Sequence, residues 1–139
     1  MSEFNFSSQV CTSRLQSEKL LALGLKKETA DMRYRAYYIS CTDTWYNEEY
    51  PEVLYSGEQL EPNDIPAWSL GRLIEMMPKN IAIDGDTAYP LQIQKRSDGK
   101  WCVGYQGWYD CVGDLYDSVI WIYQLLISEG YLDEFCNKG

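Results

Sequence analysis

The sequence predicts an α+β domain in which about three helices pack on an antiparallel sheet of about four strands. Three observations predict this class. There are capped stretches with apolar residues at helical spacing, alternating apolar and polar residues between turn sequences, and an ordinary globular composition. The 139 residues are 45% hydrophobic and 24% charged, which suffices for one domain spanning residues 1–139 with its own core.

The first predicted helix spans residues 13–23. Ser13 and Gln16 match the capping-box pattern, leucines follow at helical spacing, and Gly24 suits the C-terminal end of a helix. The Tyr-rich stretch 33–40 is predicted to be a strand, because aromatic residues are enriched in strands.

Residues 41–65 show no helical period and contain several turn residues, so the sequence predicts a long loop or a broken segment there. A second helix is predicted to follow this loop. Asp64 is its expected N-cap, Pro66 is tolerated in its first turn, and Pro78 stops it.

Residues 80–106 are predicted to form a three-stranded meander. Asp84-Gly85 and residues 97–99 are turn sequences, and apolar residues alternate with polar ones in the strands beside them. Pro90 lies inside the middle strand, which predicts a bulge or an irregular strand start.

The last predicted helix follows Asp114 or Asp117, either of which can cap it, and ends at Gly130. Its residues are apolar on nearly every side, and that pattern is typical of a buried helix.

The net charge of −9 is concentrated in one part of the chain. Residues 43–64 contain seven acidic side chains, no Lys or Arg, and four aromatic residues. An acidic segment with aromatic anchors suits a basic protein partner, because charge steers the encounter and the rings supply buried contact. The alternative is a solvated loop whose aromatics fold back onto the core. The candidate partner-binding residues are Trp45, Tyr46, Glu48, Glu49, Tyr50, Glu52 and Tyr55.

The basic residues lie mostly before this segment. Lys26, Lys27, Arg33 and Arg35 are expected to pair with the acidic segment or to remain in solvent. Direct binding to nucleic acid is not expected, because the net charge of −9 repels phosphate.

The absence of histidine removes the Ser-His-Asp and Cys-His sites and the commonest general base and zinc ligand. No nucleotide-binding or nucleophile motif is present, so we assign no catalytic residue, cofactor or metal. A carboxylate-based enzyme or a small-molecule-binding protein remains the first alternative, and a structural or assembly protein the second. The close pairs Asp84/Asp86 and Asp114/Asp117 are explained by turn and cap roles.

The five cysteines are odd in number and none forms a C-x-x-C pair. This pattern predicts reduced, buried thiols, although Cys102 and Cys111 are placed to meet across a hairpin. The N-terminal residues lack the basic start and apolar run of a secretory signal, and no stretch approaches the ~20 apolar residues of a membrane span. We therefore expect a cytoplasmic protein without membrane contact.

Two stretches carry a resemblance: residues 11–32, CTSRLQSEKLLALGLKKETADM, and residues 64–78, DIPAWSLGRLIEMMP. They resemble small uncharacterised proteins of Bacteroides-type gut bacteria and their phages or mobile elements. With the closing helix, the similarity spans most of the chain. It implies a role in phage or mobile-element biology, but brings no activity, substrate or catalytic residue. We therefore predict a non-enzymatic interaction or accessory protein of that origin.

Overall fold

The computed structural model describes residues 8–82, 85 and 87–137. Within these residues the chain is α+β, as predicted, with three α-helices and several small antiparallel sheets. The helices are α1 (Arg14–Ala22), α2 (Leu70–Met76) and α3 (Leu115–Ser128). Short 3₁₀ turns occupy Lys27–Thr29 and Asp133–Phe135.

The strands are short and belong to four separate sheets within the described residues. They are β1 (Met32–Tyr34), β2 (Ala36–Ile39), β3 (Thr44–Asn47), β4 (Glu52–Val53), β5 (Ile65–Ala67), β6 (Asn80–Ile81), β7 (Tyr89–Pro90), β8 (Gln92–Lys95), β9 (Trp101–Tyr105) and β10 (Trp108–Gly113). Two sheets have three strands, in the orders β4-β1-β5 and β10-β9-β8, and two are the pairs β2-β3 and β6-β7. The predicted single sheet of about four strands is therefore wrong.

The predicted meander is displaced toward the C-terminus. The strand expected through Pro90 is divided in two: β7 ends at Pro90 and pairs with β6, whereas β8 begins at Gln92 and pairs with β9. Proline supplies no backbone N–H for a ladder hydrogen bond, which favours a break at this position. The third strand of the meander is β10. Of the first predicted turn, Asp84 lies outside the described residues.

The caps of α1 and α3 are confirmed. The Ser13 hydroxyl accepts a hydrogen bond from the Gln16 backbone at 3.1 Å, and the Gln16 side chain accepts one from the Ser13 backbone at 3.0 Å. Asp114 caps α3 by accepting from the backbone N–H of Asp117 at 3.1 Å. These local signals operate within one turn of helix, so they are readable from sequence.

The predicted start of α2 is wrong. Ser69, not Asp64, is the N-cap and accepts a hydrogen bond from the Arg72 backbone at 3.1 Å. Residues 65–67 form β5, where Pro66 lies opposite Arg33 of β1. Proline is tolerated on an edge strand such as β5. Residues 65–67 therefore pair with the free edge of β1 and form a strand instead of the first turn of a helix.

The main core lies between α3, the sheet β10-β9-β8, α1 and α2. The largest fully buried side chains include Trp68, Tyr105 and Tyr123. The Trp68 indole N–H donates to the Thr29 hydroxyl at 2.9 Å, and the Tyr123 hydroxyl donates to the Leu73 carbonyl at 2.5 Å. The buried aromatic residues thus satisfy their polar atoms, as a low-dielectric interior requires. The prediction that α3 is a buried helix is confirmed along its central residues.

Cys102 and Cys111 form a disulfide between β9 and β10, with their Cα atoms 4.2 Å apart. The prediction of reduced thiols is therefore wrong for this pair. β9 and β10 are neighbouring strands, and the register that pairs Asp110 with Val103 places Cys111 opposite Cys102. Cys11 and Cys136 are free and buried, as predicted, whereas Cys41 is free and exposed. The cytoplasmic location, inferred partly from reduced thiols, stays a prediction.

No helix in the described part of the chain is both long and apolar enough to cross a membrane.

Candidate functional site

The segment predicted as a long acidic loop contains β3 and β4, which belong to two different sheets. β3 pairs with β2 in an isolated hairpin, whereas β4 pairs with β1 in the sheet β4-β1-β5. We call residues 36–47, which comprise β2, β3 and their connecting turn, the aromatic hairpin. The predicted strand 33–40 is divided at Arg35, because β1 and β2 belong to different sheets.

The base of the aromatic hairpin is tied to the rest of the domain by hydrogen bonds. Asp64 accepts from the Ala36 backbone at 2.7 Å. The Asn47 side chain donates to the Tyr34 carbonyl at 3.2 Å and to the Asn63 carbonyl at 2.9 Å. These bonds hold the ends of the hairpin, whose two strands form a sheet of their own.

The register of the aromatic hairpin sorts its four aromatic residues into two pairs. Tyr37 lies opposite Tyr46, and Tyr38 lies opposite Trp45. Because side chains alternate along a strand, the two pairs point to opposite faces. The ring centroids are 5.8 Å apart in the first pair and 5.4 Å apart in the second. Each of the four aromatic residues is at least 39% exposed.

The turn of the aromatic hairpin is shaped by Asp43. This residue has a positive φ of 51°, a conformation that Asp tolerates better than most residues. The Tyr38 hydroxyl donates a hydrogen bond to its carboxylate. That bond raises the pKa of Tyr38, because it stabilises the protonated phenol. Asp43 therefore both closes the turn and orients the ring on one face.

Beside the hairpin base lies an ion-pair network that we call the Arg33 cluster. It consists of Arg33, Arg35, Glu52, Glu58 and Asp64. The Arg33 side chain is 4% exposed and contacts three carboxylates, at 2.7 Å from Glu52, 2.9 Å from Glu58 and 3.2 Å from Asp64. Arg35 contacts Glu52 at 2.9 Å. The expectation that Arg33 and Arg35 pair with the acidic segment is confirmed.

The ion pairs of the cluster shift the pKa values of Arg33 and Glu52. Burial acts to lower the pKa of the Arg33 guanidinium, but the hydrogen bond to Glu52 and the three carboxylate charges outweigh it and raise that pKa. The hydrogen bond from Arg33 is the main cause that lowers the pKa of Glu52. Arg33 and Glu52 are therefore both charged at neutral pH.

The lowered pKa of Glu52 predicts how stability depends on pH. A carboxyl whose pKa is lower in the folded state stabilises above its unfolded pKa, near 4.5, and loses that contribution as the pH falls through the folded pKa. We expect the wild-type chain to lose more stability than Glu52→Gln between about pH 6 and about pH 3. Urea unfolding of both proteins across this range measures the difference. Equal losses would show that Glu52 titrates alike in both states.

The structure separates the predicted binding residues into four groups. Trp45 and Tyr46 belong to the aromatic hairpin, and Glu48 and Glu49 follow it as exposed carboxylates with no ion pair among the described residues. Glu52 instead belongs to the Arg33 cluster. Tyr50 and Tyr55 lie outside the hairpin and are 78% and 75% exposed. The predicted surface is thus brought together only in part.

Sequence analysis missed two residues of this surface, Tyr37 and Tyr38. They precede the acidic segment, and the sequence predicts a separate strand for the stretch that contains them. The available signal was the aromatic pair Trp45-Tyr46 a short turn further on, because two aromatic stretches around a turn are typical of a hairpin.

The structure also bears on the alternative that the chain is a carboxylate-based enzyme. The three carboxylates that converge, Glu52, Glu58 and Asp64, do so on Arg33. A lowered pKa at Glu52 is opposite to the raised pKa that a general acid requires. Asp114 acts as a helix cap, and Asp117 accepts a hydrogen bond from Gln16 at 2.8 Å. Asp84 and Asp86 lie outside the described residues.

No family model, curated protein or solved structure matches the chain. The function of the site is therefore argued from its own geometry and charge.

Proposed function

We propose that this chain is a non-enzymatic interaction protein that binds a basic protein partner through the aromatic hairpin. The observation that carries the proposal is the exposure of four aromatic residues, 39–54% each, on one two-stranded hairpin. A phage or mobile-element origin and a cytoplasmic location, both expected from the sequence, are part of the proposal.

The exposure of these rings is unusual in energetic terms. Burying apolar surface contributes roughly 25 cal/mol per Å², so a monomer gains by folding such rings inward. A two-stranded hairpin is marginally stable by itself in water. Tyrosine and tryptophan are also the residues that most often dominate the binding energy of interfaces. Contact with a partner would both bury the rings and stabilise the hairpin.

The charge of the surface favours a basic partner. Asp43 lies in the hairpin turn, and Glu48 and Glu49 follow its second strand. Two cations lie at the base of the hairpin: Arg35 is paired with Glu52, and the Arg14 guanidinium donates to the Asn47 and Glu48 carbonyls at 3.0 and 2.6 Å. The whole chain carries a net charge of −9, which steers encounter with a positively charged surface.

The proposal is tested by capture from a lysate of the host cells, with every bound protein identified and then purified. Wild type is compared with Tyr38→Thr/Trp45→Thr, in which threonine keeps the strand preference, and with the control Tyr55→Thr. We expect the partner to carry a basic surface and to bind the hairpin variant at least about tenfold more weakly. Tyr55→Thr should bind as wild type does, because Tyr55 is exposed outside the hairpin.

A second variant tests the charge. Glu48→Lys/Glu49→Lys should slow association and weaken its salt dependence, because exposed rim charges act mainly on the rate of encounter. Glu52 is left unchanged, since it holds Arg33 and its loss would disturb folding. If every captured protein binds the hairpin variant as tightly as wild type, the proposal is wrong.

A further inference from the structure

The two faces of the aromatic hairpin are exposed to a similar degree. Tyr37 and Tyr46 are both 39% exposed, and on the other face Tyr38 is 46% and Trp45 54% exposed. Antiparallel sheets commonly pack one face on the core and leave a polar face in water. Here both faces carry aromatic residues, and each of these residues is at least 39% exposed.

We propose that the aromatic hairpin inserts into a cleft of its basic partner, so that both aromatic pairs are buried at the same time. This inference rests on the proposed function and adds the shape of the partner. A partner that lies flat on one face would leave the other pair in water.

The area of the hairpin supports insertion. An aromatic residue offers roughly 200 Å² of surface, so the observed exposures leave roughly 80–100 Å² available on each ring. One face then supplies roughly 160–200 Å². A stable interface buries about 800 Å² per partner, of which about 450 Å² is apolar. Both faces together supply roughly 360 Å², which approaches this requirement, whereas one face does not.

The distribution of charge along the hairpin indicates which groups would line such a cleft. Residues 36–39 and 44–47 contain no charged side chain. Asp43 lies at the turn, and Glu48 and Glu49 lie just beyond the base. The complementary cleft has apolar walls, basic groups at its floor facing Asp43, and basic groups at its mouth facing the two glutamates.

A second copy of the chain does not fit this description. It presents the same acidic groups around the same rings, so self-association through the hairpin opposes like charges. A basic partner of different sequence meets both the apolar and the charged requirement.

The test places a photo-crosslinking amino acid, p-benzoylphenylalanine, at Tyr37 on one face and at Tyr38 on the other. Tyr55 carries the same probe as a control. Each protein is irradiated in host-cell lysate, and crosslinked peptides are identified by mass spectrometry. We expect probes at Tyr37 and Tyr38 to crosslink one and the same protein through different peptides of that protein, and the probe at Tyr55 not to crosslink it.

Binding to the purified partner provides the second measurement. The variants Tyr37→Thr/Tyr46→Thr and Tyr38→Thr/Trp45→Thr each remove one face, and each should weaken binding by at least about tenfold. Circular dichroism and thermal unfolding establish that both variants fold, since each changes only exposed residues.

The possible outcomes separate the two proposals. If only one face crosslinks and only that face's variant weakens binding, the cleft is ruled out while the interaction function stands. If neither face does so, both proposals fail. Crosslinks only between copies of this chain would replace the basic partner with a dimer and would also overturn the cleft.

Discussion

Replacing Arg33 with alanine is expected to lower the free energy of unfolding by about 3–5 kcal/mol, which is the cost of breaking a buried ion pair from one side. The Arg33 guanidinium is 4% exposed and lies against three carboxylates. The side chain of one of them, Asp64, is 0% exposed. Without Arg33 neither Asp64 nor Glu58 keeps an ion-pair partner among the described residues.

The loss of Arg33 should also loosen the aromatic hairpin. Asp64 accepts hydrogen bonds from both Arg33 and the backbone of Ala36, the first residue of β2. When Asp64 moves toward water, its hydrogen bond from the Ala36 backbone weakens. Amide hydrogen exchange of residues 36–39 is therefore expected to speed up in Arg33→Ala more than exchange in α3.

Urea unfolding near neutral pH measures the stability change, and Arg35→Ala is the matched control. Arg35 also contacts Glu52, but its side chain is 54% exposed, so its removal should cost less than about 1 kcal/mol. If Arg33→Ala and Arg35→Ala lose the same free energy of unfolding, the burial of Arg33 does not make its ion pairs more important for stability.

Replacing Trp68 with alanine is expected to cost about 3–5 kcal/mol, the range observed for large aromatic residues in cores. Trp68 is 0% exposed and lies in the main core beside residues of α2 and α3. Its indole N–H donates to Thr29 at 2.9 Å, and its backbone N–H donates to the Thr12 hydroxyl at 3.1 Å. The substitution leaves a cavity and removes the hydrogen bond that the Thr29 hydroxyl accepts from the indole.

Two further variants serve as comparisons for the stability loss of Trp68→Ala. Trp68→Phe keeps most of the volume but loses the indole N–H, so it should cost clearly less than alanine. Trp45→Ala removes an exposed tryptophan of the aromatic hairpin and should cost less than about 1 kcal/mol. Chemical unfolding of the three variants gives the comparison. If Trp45→Ala costs as much as Trp68→Ala, the aromatic hairpin is not free of the core.

Prediction from sequence succeeded where the signal is local. The capping box of Ser13 and Gln16 and the cap at Asp114 lie within one turn of the helix they start, so the residues that decide them are neighbours. α3 was predictable for a related reason, since a helix that is apolar nearly all round has no stable place outside a core.

Prediction failed where distant residues compete for the same segment. Asp64 is a good N-cap in isolation, but Arg33 and Ala36, about thirty positions earlier, take its carboxylate. Pro66 then joins a strand beside β1 instead of a helix. The disulfide between Cys102 and Cys111 similarly depended on the register of two strands, which cysteine spacing does not specify.

The sequence by itself determined that this protein is an α+β domain with an acidic, aromatic stretch between residues 43 and 64, because composition and local period depend only on neighbouring residues. Only the tertiary structure decided how that stretch is used. Three of its seven acids contact Arg33, because a buried guanidinium requires counter-charges. Trp45 and Tyr46 stay exposed on β3, which pairs with β2 in a separate two-stranded sheet.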